Sequence, residues 1–133
     1  MSWEGVVLHH SASRDVSANT ITKWHKQRNF KTIGYHFVIR KNGNIEPGRA
    51  IDKQGAHAKG RNDTHIGICI TGKLNQSPPT VEQLHSLMKL LRGLRARYGF
   101  DLESIEGHHD DCPGYYFPLD LVRKNLNKEW LIC

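Results

Sequence analysis

Apolar positions along this chain fall into several short runs and one long stripe, and the two periods predict different elements. Gly5-Val6-Val7-Leu8-His9-His10 is short, β-branched and bounded by polar residues, which predicts a buried strand. Successive strand side chains point to opposite faces, so His9 falls in phase with Val7, and His10 with Val6 and Leu8. Residues 17–28 read as a helix, with Ser17 or Asn19 as N-cap and Ile21, Trp24 and His25 at one-face spacing. Gly34 to Arg40 and Asn44 to Pro47 flank Lys41-Asn42-Gly43, a strong hairpin signal. Alternation there puts Tyr35 and Phe37 on one face and His36 and Val38 on the other.

Further along, the small, polar segment from Gly55 to Asp63 reads as a surface loop, and it leads into Ile66-Gly67-Ile68-Cys69-Ile70. That apolar run predicts a strand central to a sheet, with Cys69 in the core. The longest helix begins after Pro78-Pro79, where Thr80 and Gln83 fit a capping box. Val81, Leu84, Leu87, Met88, Leu91, Leu94 and Tyr98 repeat at helical spacing up to Gly99 and form a core stripe. Ser104-Ile105-Glu106-Gly107 is a short strand that delivers His108, and residues 118–128 form a final amphipathic helix. Strands alternating with helices, plus one hairpin, imply an α/β fold: a central mixed sheet covered by helices. Ligands in such folds sit at strand ends.

With 133 residues the chain is the size of one domain, expected to span 1–133 and to hold a real core without disulfides. Lys plus Arg number 19 against 13 Asp plus Glu, a formal charge of +6, and the pI is near 9.4. This balance favours an anionic partner surface, but charge alone does not choose among nucleic acid, phospholipid and a phosphate-rich envelope. The basic residues are spread out, and the dense group Lys89, Arg92, Arg95 and Arg97 reads as a solvated helix face, so nucleic-acid binding is not expected. Three cysteines at unrelated spacings suggest no disulfide framework and a reducing compartment. No basic segment followed by a long apolar run opens the chain, and no run approaches the roughly 20 apolar residues of a bilayer span. The expectation is synthesis in the cytoplasm without a signal peptide, as a monomer.

Chemistry concentrates in Glu106-Gly107-His108-His109-Asp110-Asp111-Cys112-Pro113-Gly114. His108 and Cys112 each offer zinc a donor, and a catalytic zinc site takes three protein ligands and keeps a fourth place open. The third is sought a hundred residues upstream, in the histidine pair that ends the first strand. Periodicity does not say which of the two it is.

Taken in order, Leu8-His9-His10-Ser11-Ala12-Ser13, the Trp24-His25 helix, Ile33-Gly34-Tyr35-His36-Phe37-Val38-Ile39, Lys41-Asn42-Gly43, His57-Ala58-Lys59-Gly60, Ile66-Gly67-Ile68 and His108-to-Cys112-Pro113-Gly114 resemble the zinc-dependent N-acetylmuramoyl-L-alanine amidases. The likeness is to the small bacteriophage lysozyme-amidases (endolysins), relatives of the peptidoglycan recognition proteins, and it runs from Val6 to about Leu121. It implies zinc as cofactor, with His9, His108 and Cys112 as its ligands, Tyr35 as catalytic tyrosine, and His36, His57 and Lys59 as substrate contacts. Bacterial peptidoglycan is the implied substrate, cut between N-acetylmuramic acid and L-alanine. The implied setting is cell-wall lysis after release of the protein from the cytoplasm.

The sequence departs from the family at one place. Only three residues separate His108 from Cys112, and Asp110 stands where many members carry a lysine. An acid does not replace a cation at a developing oxyanion, so either Lys59 or His36 supplies positive charge, or Asp110 or Asp111 carries a proton. The alternative from another class is a peptidoglycan-binding module of the same fold with weak or no catalysis.

Overall fold

The computed structural model describes residues 2–109 and 111–127. Five strands form one sheet: β1 (Gly5–His10), β2 (Phe37–Ile39), β3 (Ile45–Pro47), β4 (His65–Ile70) and β5 (Ile105–Gly107). Their order is β3-β2-β4-β1-β5, with β1 parallel to both β4 and β5, β2 parallel to β4, and β2 antiparallel to β3. The sheet is therefore mixed, as expected, and β4 is its middle strand. The two central strands read as unbroken apolar runs because both their faces are covered.

Three helices supply the cover: α1 (Ala18–Gln27), α2 (Val81–Tyr98) and α3 (Leu119–Asn127). Ser17 caps α1 by accepting the Thr20 amide. Thr80 and Gln83 form the reciprocal capping box that starts α2, and Gly99, at φ +74, ends it in the left-handed conformation that glycine adopts without penalty.

Strand alternation divides the interior into two clusters. Val6, Leu8, Ile66, Ile68, Ile70 and Ile105 pack with Leu87, Leu91 and Leu94 of α2 and Val122 and Leu126 of α3. On the other face, Val38 and Cys69 pack with Ala18 and Ile21 of α1 and with Ile33. Cys69 is fully buried, in agreement with its assignment to the core. The expected stripe of α2 holds except at its first member. Val81 is 69 % exposed, because as the first helical residue it precedes the turn that reaches the sheet. The hairpin strands are shorter than their apolar pattern, and Gly34 to His36 enter β2 as irregular chain. Lys128, the last residue assigned to the final helix, lies outside the described residues, as does Cys133.

Candidate functional site

Each segment that carries a candidate ligand is anchored by backbone pairing before it reaches the site. His9 sits near the C-terminal end of β1, with Cys69 of β4 as its register partner. His108 follows β5 directly. His109 and Cys112 exchange two backbone hydrogen bonds of 2.9 Å each, which folds the short segment back so that Cys112 returns towards the sheet. Arg61 fastens the same segment from the side, donating to the carbonyls of His108 (2.9 Å) and Gly107 and pairing with Glu106.

As a result, donor atoms of His9, His108 and Cys112 all lie within 4.8 Å of one another. Cys112 Sγ is 3.6 Å from His9 Nδ1. Zinc bonds of about 2.0–2.1 Å to nitrogen and 2.3 Å to sulfur, at tetrahedral angles, put such a pair of donors about 3.6 Å apart. The donor set fits zinc chemically as well as by size. Burial lowers the pKa of His9 well below its ordinary value and lowers that of His108, so both rings are neutral and able to ligate. Burial raises the Cys112 pKa, while the backbone N–H of His10 lowers it. A cation bound beside the sulfur would stabilise the thiolate that burial disfavours.

His9, rather than His10, reaches the cluster because β1 turns its odd-numbered side chains towards α1. His10 points to the opposite face, where its Nδ1 accepts the Leu74 amide. The ambiguity left by strand periodicity is thus decided by which face each helix covers.

The three donors open onto a cleft of about 470 Å³ whose walls include Tyr35, His57 and Lys59. His25, Arg28 and Phe30 from the end of α1 and the chain after it line the same cleft, and nothing in the sequence pattern marked them as site residues. The Tyr35 ring centroid stands 5.0 Å from that of His9, and burial pushes the phenol pKa up. His57 Nδ1 is 2.9 Å from His9 Nε2, and its Nε2–H donates to the carbonyl of His65 at 2.9 Å.

The remaining expected site residues are placed differently. His36 is 1 % exposed and is not among the cleft's walls. Its Nε2–H donates to the Lys53 carbonyl and its Nδ1 accepts the Gly67 amide, so both nitrogens are committed to holding backbone. Asp111 is exposed, its amide donates to His109 Nδ1 at 3.3 Å, and it does not line the cleft. Asp110 lies outside the described residues.

The sheet gathers two histidines and a cysteine that could hold a metal ion, and residues 1–115 match the N-acetylmuramoyl-L-alanine amidase family. The chain belongs to that family, which makes it an amide hydrolase by descent. It is 36 % identical over 117 residues to the endolysin of Enterobacteria phage K11, an alignment covering 84 % of this chain and 76 % of that protein. An N-acetylmuramoyl-L-alanine amidase from Clostridium intestinale superposes with a TM-score of 0.91 at 34 % identity, over 96 % of this chain and 87 % of the other. The bumblebee peptidoglycan recognition protein PGRP-SA, at 21 % identity and a TM-score of 0.81 over 91 % and 81 % of the two chains, shares the fold.

Proposed function

We propose that this protein hydrolyses the amide between the lactyl group of N-acetylmuramic acid and L-alanine in bacterial peptidoglycan, with zinc held by His9, His108 and Cys112. The observation that carries the proposal is the convergence of these donors, from segments a hundred residues apart, at the base of a cleft that also contains Tyr35. Zinc held there supplies Lewis-acid polarisation of the scissile carbonyl and a nucleophile at neutral pH.

The chain's own residues do the rest. Tyr35, its pKa raised by burial, keeps its proton at neutral pH and so acts as a hydrogen-bond donor rather than a base. Its hydroxyl is within hydrogen-bonding reach of the Cys69 thiol, a weak acceptor. An oxygen gaining negative charge in the cleft is a stronger one, so the donor interaction strengthens as the reaction proceeds. Lys59 and Arg28 place positive charge on the walls, suited to the carboxylates of a stem peptide. They also stand in for the cation that the short His108–Cys112 segment does not carry.

In this reading the protein lyses the bacterial wall after its release from the cytoplasm, as a monomer, and the phage endolysins among its relatives support the lytic setting. Among the described residues, no helix is long and apolar enough to cross a membrane. Mass spectrometry of fragments released from purified peptidoglycan tests the reading. Stem peptides beginning at L-alanine should appear with zinc-loaded protein and vanish after chelation. Intact glycopeptides in both samples, with the protein still sedimenting with the wall, would replace the enzyme by a binding module.

A further inference from the structure

We infer that His57 is a positioning residue that fixes the tautomer of His9, so that His9 presents Nδ1, and not Nε2, to the metal. This role rests on the zinc site proposed above and follows from a hydrogen-bonded chain that begins at a backbone carbonyl. The carbonyl of His65 can only accept, so the proton of that 2.9 Å contact belongs to His57 Nε2. A neutral imidazole carries one ring proton, which leaves His57 Nδ1 as an acceptor. The atom that faces it at 2.9 Å, His9 Nε2, must therefore be the donor. With its single proton on Nε2, His9 holds a free lone pair on Nδ1, the atom 3.6 Å from Cys112 Sγ.

Metal-bound histidines usually donate their second N–H to a carboxylate, a backbone carbonyl or water. Here a second imidazole is inserted between the ligand and the backbone carbonyl. The insert is built in rather than incidental. Asn62 Oδ1 accepts the amides of His57 and Ala58 at 2.6 and 2.9 Å, fixing the backbone from which the ring projects. The ring lies against two glycines: a Cβ at Gly67 of β4 would come within 2.6 Å of it, and one at Gly55 within 2.5 Å. The middle strand of the sheet thus lacks a side chain where the His57 ring needs the space.

Two measurements on the full chain test the inference. In the metal-free protein, long-range proton–nitrogen NMR of the imidazole rings should show His9 protonated at Nε2. A proton on Nδ1 would overturn the inference whether or not the protein cleaves peptidoglycan. Zinc affinity by chelator competition should then fall about 10- to 100-fold in His57→Leu, the usual range for loss of a group that orients a ligand. His57→Asn puts an amide oxygen where Nδ1 was and should restore most of that loss. A cavity or packing defect would not discriminate between Leu and Asn in this way. Equal affinity in wild type and His57→Leu, or no recovery in His57→Asn, would also overturn the inference. If the NMR and affinity patterns hold while peptidoglycan stays intact, the proposed reaction fails and the positioning role stands.

Discussion

On the face beneath α2 and α3, β1 and β4 present Val6, Leu8, Ile66, Ile68 and Ile70, none more than 1 % exposed. On the face beneath α1, the same two strands present Val7, His9, Gly67 and Cys69. The first set is uniformly aliphatic. The second alternates an aliphatic, a candidate ligand, a gap and a thiol. One pair of parallel strands thus carries the densest packing on one side and the site on the other. The difference shows how the chain keeps polar groups buried: stability is concentrated on α2, and the α1 face satisfies its histidines one by one through backbone partners such as Gly34, which donates to His25 Nδ1, and His65.

The contrast can be tested most strongly with acid. Burial lowers the pKa of His9, His25, His36, His57 and His108, that of His57 to about 4. Below the ordinary histidine pKa of about 6.5 the unfolded chain takes up protons that the folded chain refuses, so stability falls as pH falls through that window. Denaturant melts of the metal-free protein should lose stability steadily from pH 6.5 to pH 4, with the groups acting together. A flat profile there would mean that these rings open to water without unfolding.

Leu87→Ala, on the aliphatic face, should cost about 2–5 kcal/mol of stability in a denaturant melt, since Leu87 is fully buried in a close-packed cluster. Its zinc affinity should stay at the wild-type value. Tyr35→Phe addresses the other face and should do the reverse. Turnover of peptidoglycan should fall about 10²- to 10³-fold, on the order of 3 kcal/mol on the barrier, with little change in melting temperature. A Tyr35→Phe protein that hydrolyses at the wild-type rate would remove the phenol from the mechanism. Val81→Ala, at the exposed start of α2, should change stability by no more than about 0.5 kcal/mol, which separates the outer end of the helix from its packed stripe.

Much of this architecture was legible in the sequence. The first strand has the bounds its apolar run predicts, Ser17 and Thr80 cap the helices they precede, and the central position of β4 follows from its unbroken apolar sequence. These features are local: a cap or a turn is made by residues within a few positions of each other, so their spacing contains the information. The His108 to Cys112 cluster was legible for the same reason.

What residue spacing left open, beyond the family resemblance that already pointed to His9, is which side of each strand matters. Alternation fixes that His9 and His10 point oppositely, but the covering helices determine that His9 meets Cys112 while His10 holds Leu74. His36 and His57 look equivalent along the chain, yet one is committed wholly to backbone and the other lies against His9. Arg28 and Phe30 reach the cleft and Arg61 clamps the segment that carries His108 through contacts far apart in sequence, for which no periodicity exists. The sequence by itself determined the elements, their caps and the chemical types available to the site. The packing of α1 and of the loop from Gly55 to Asp63 on one face of the sheet decided which of those groups meet, because burial and hydrogen-bond direction are properties of the assembled faces.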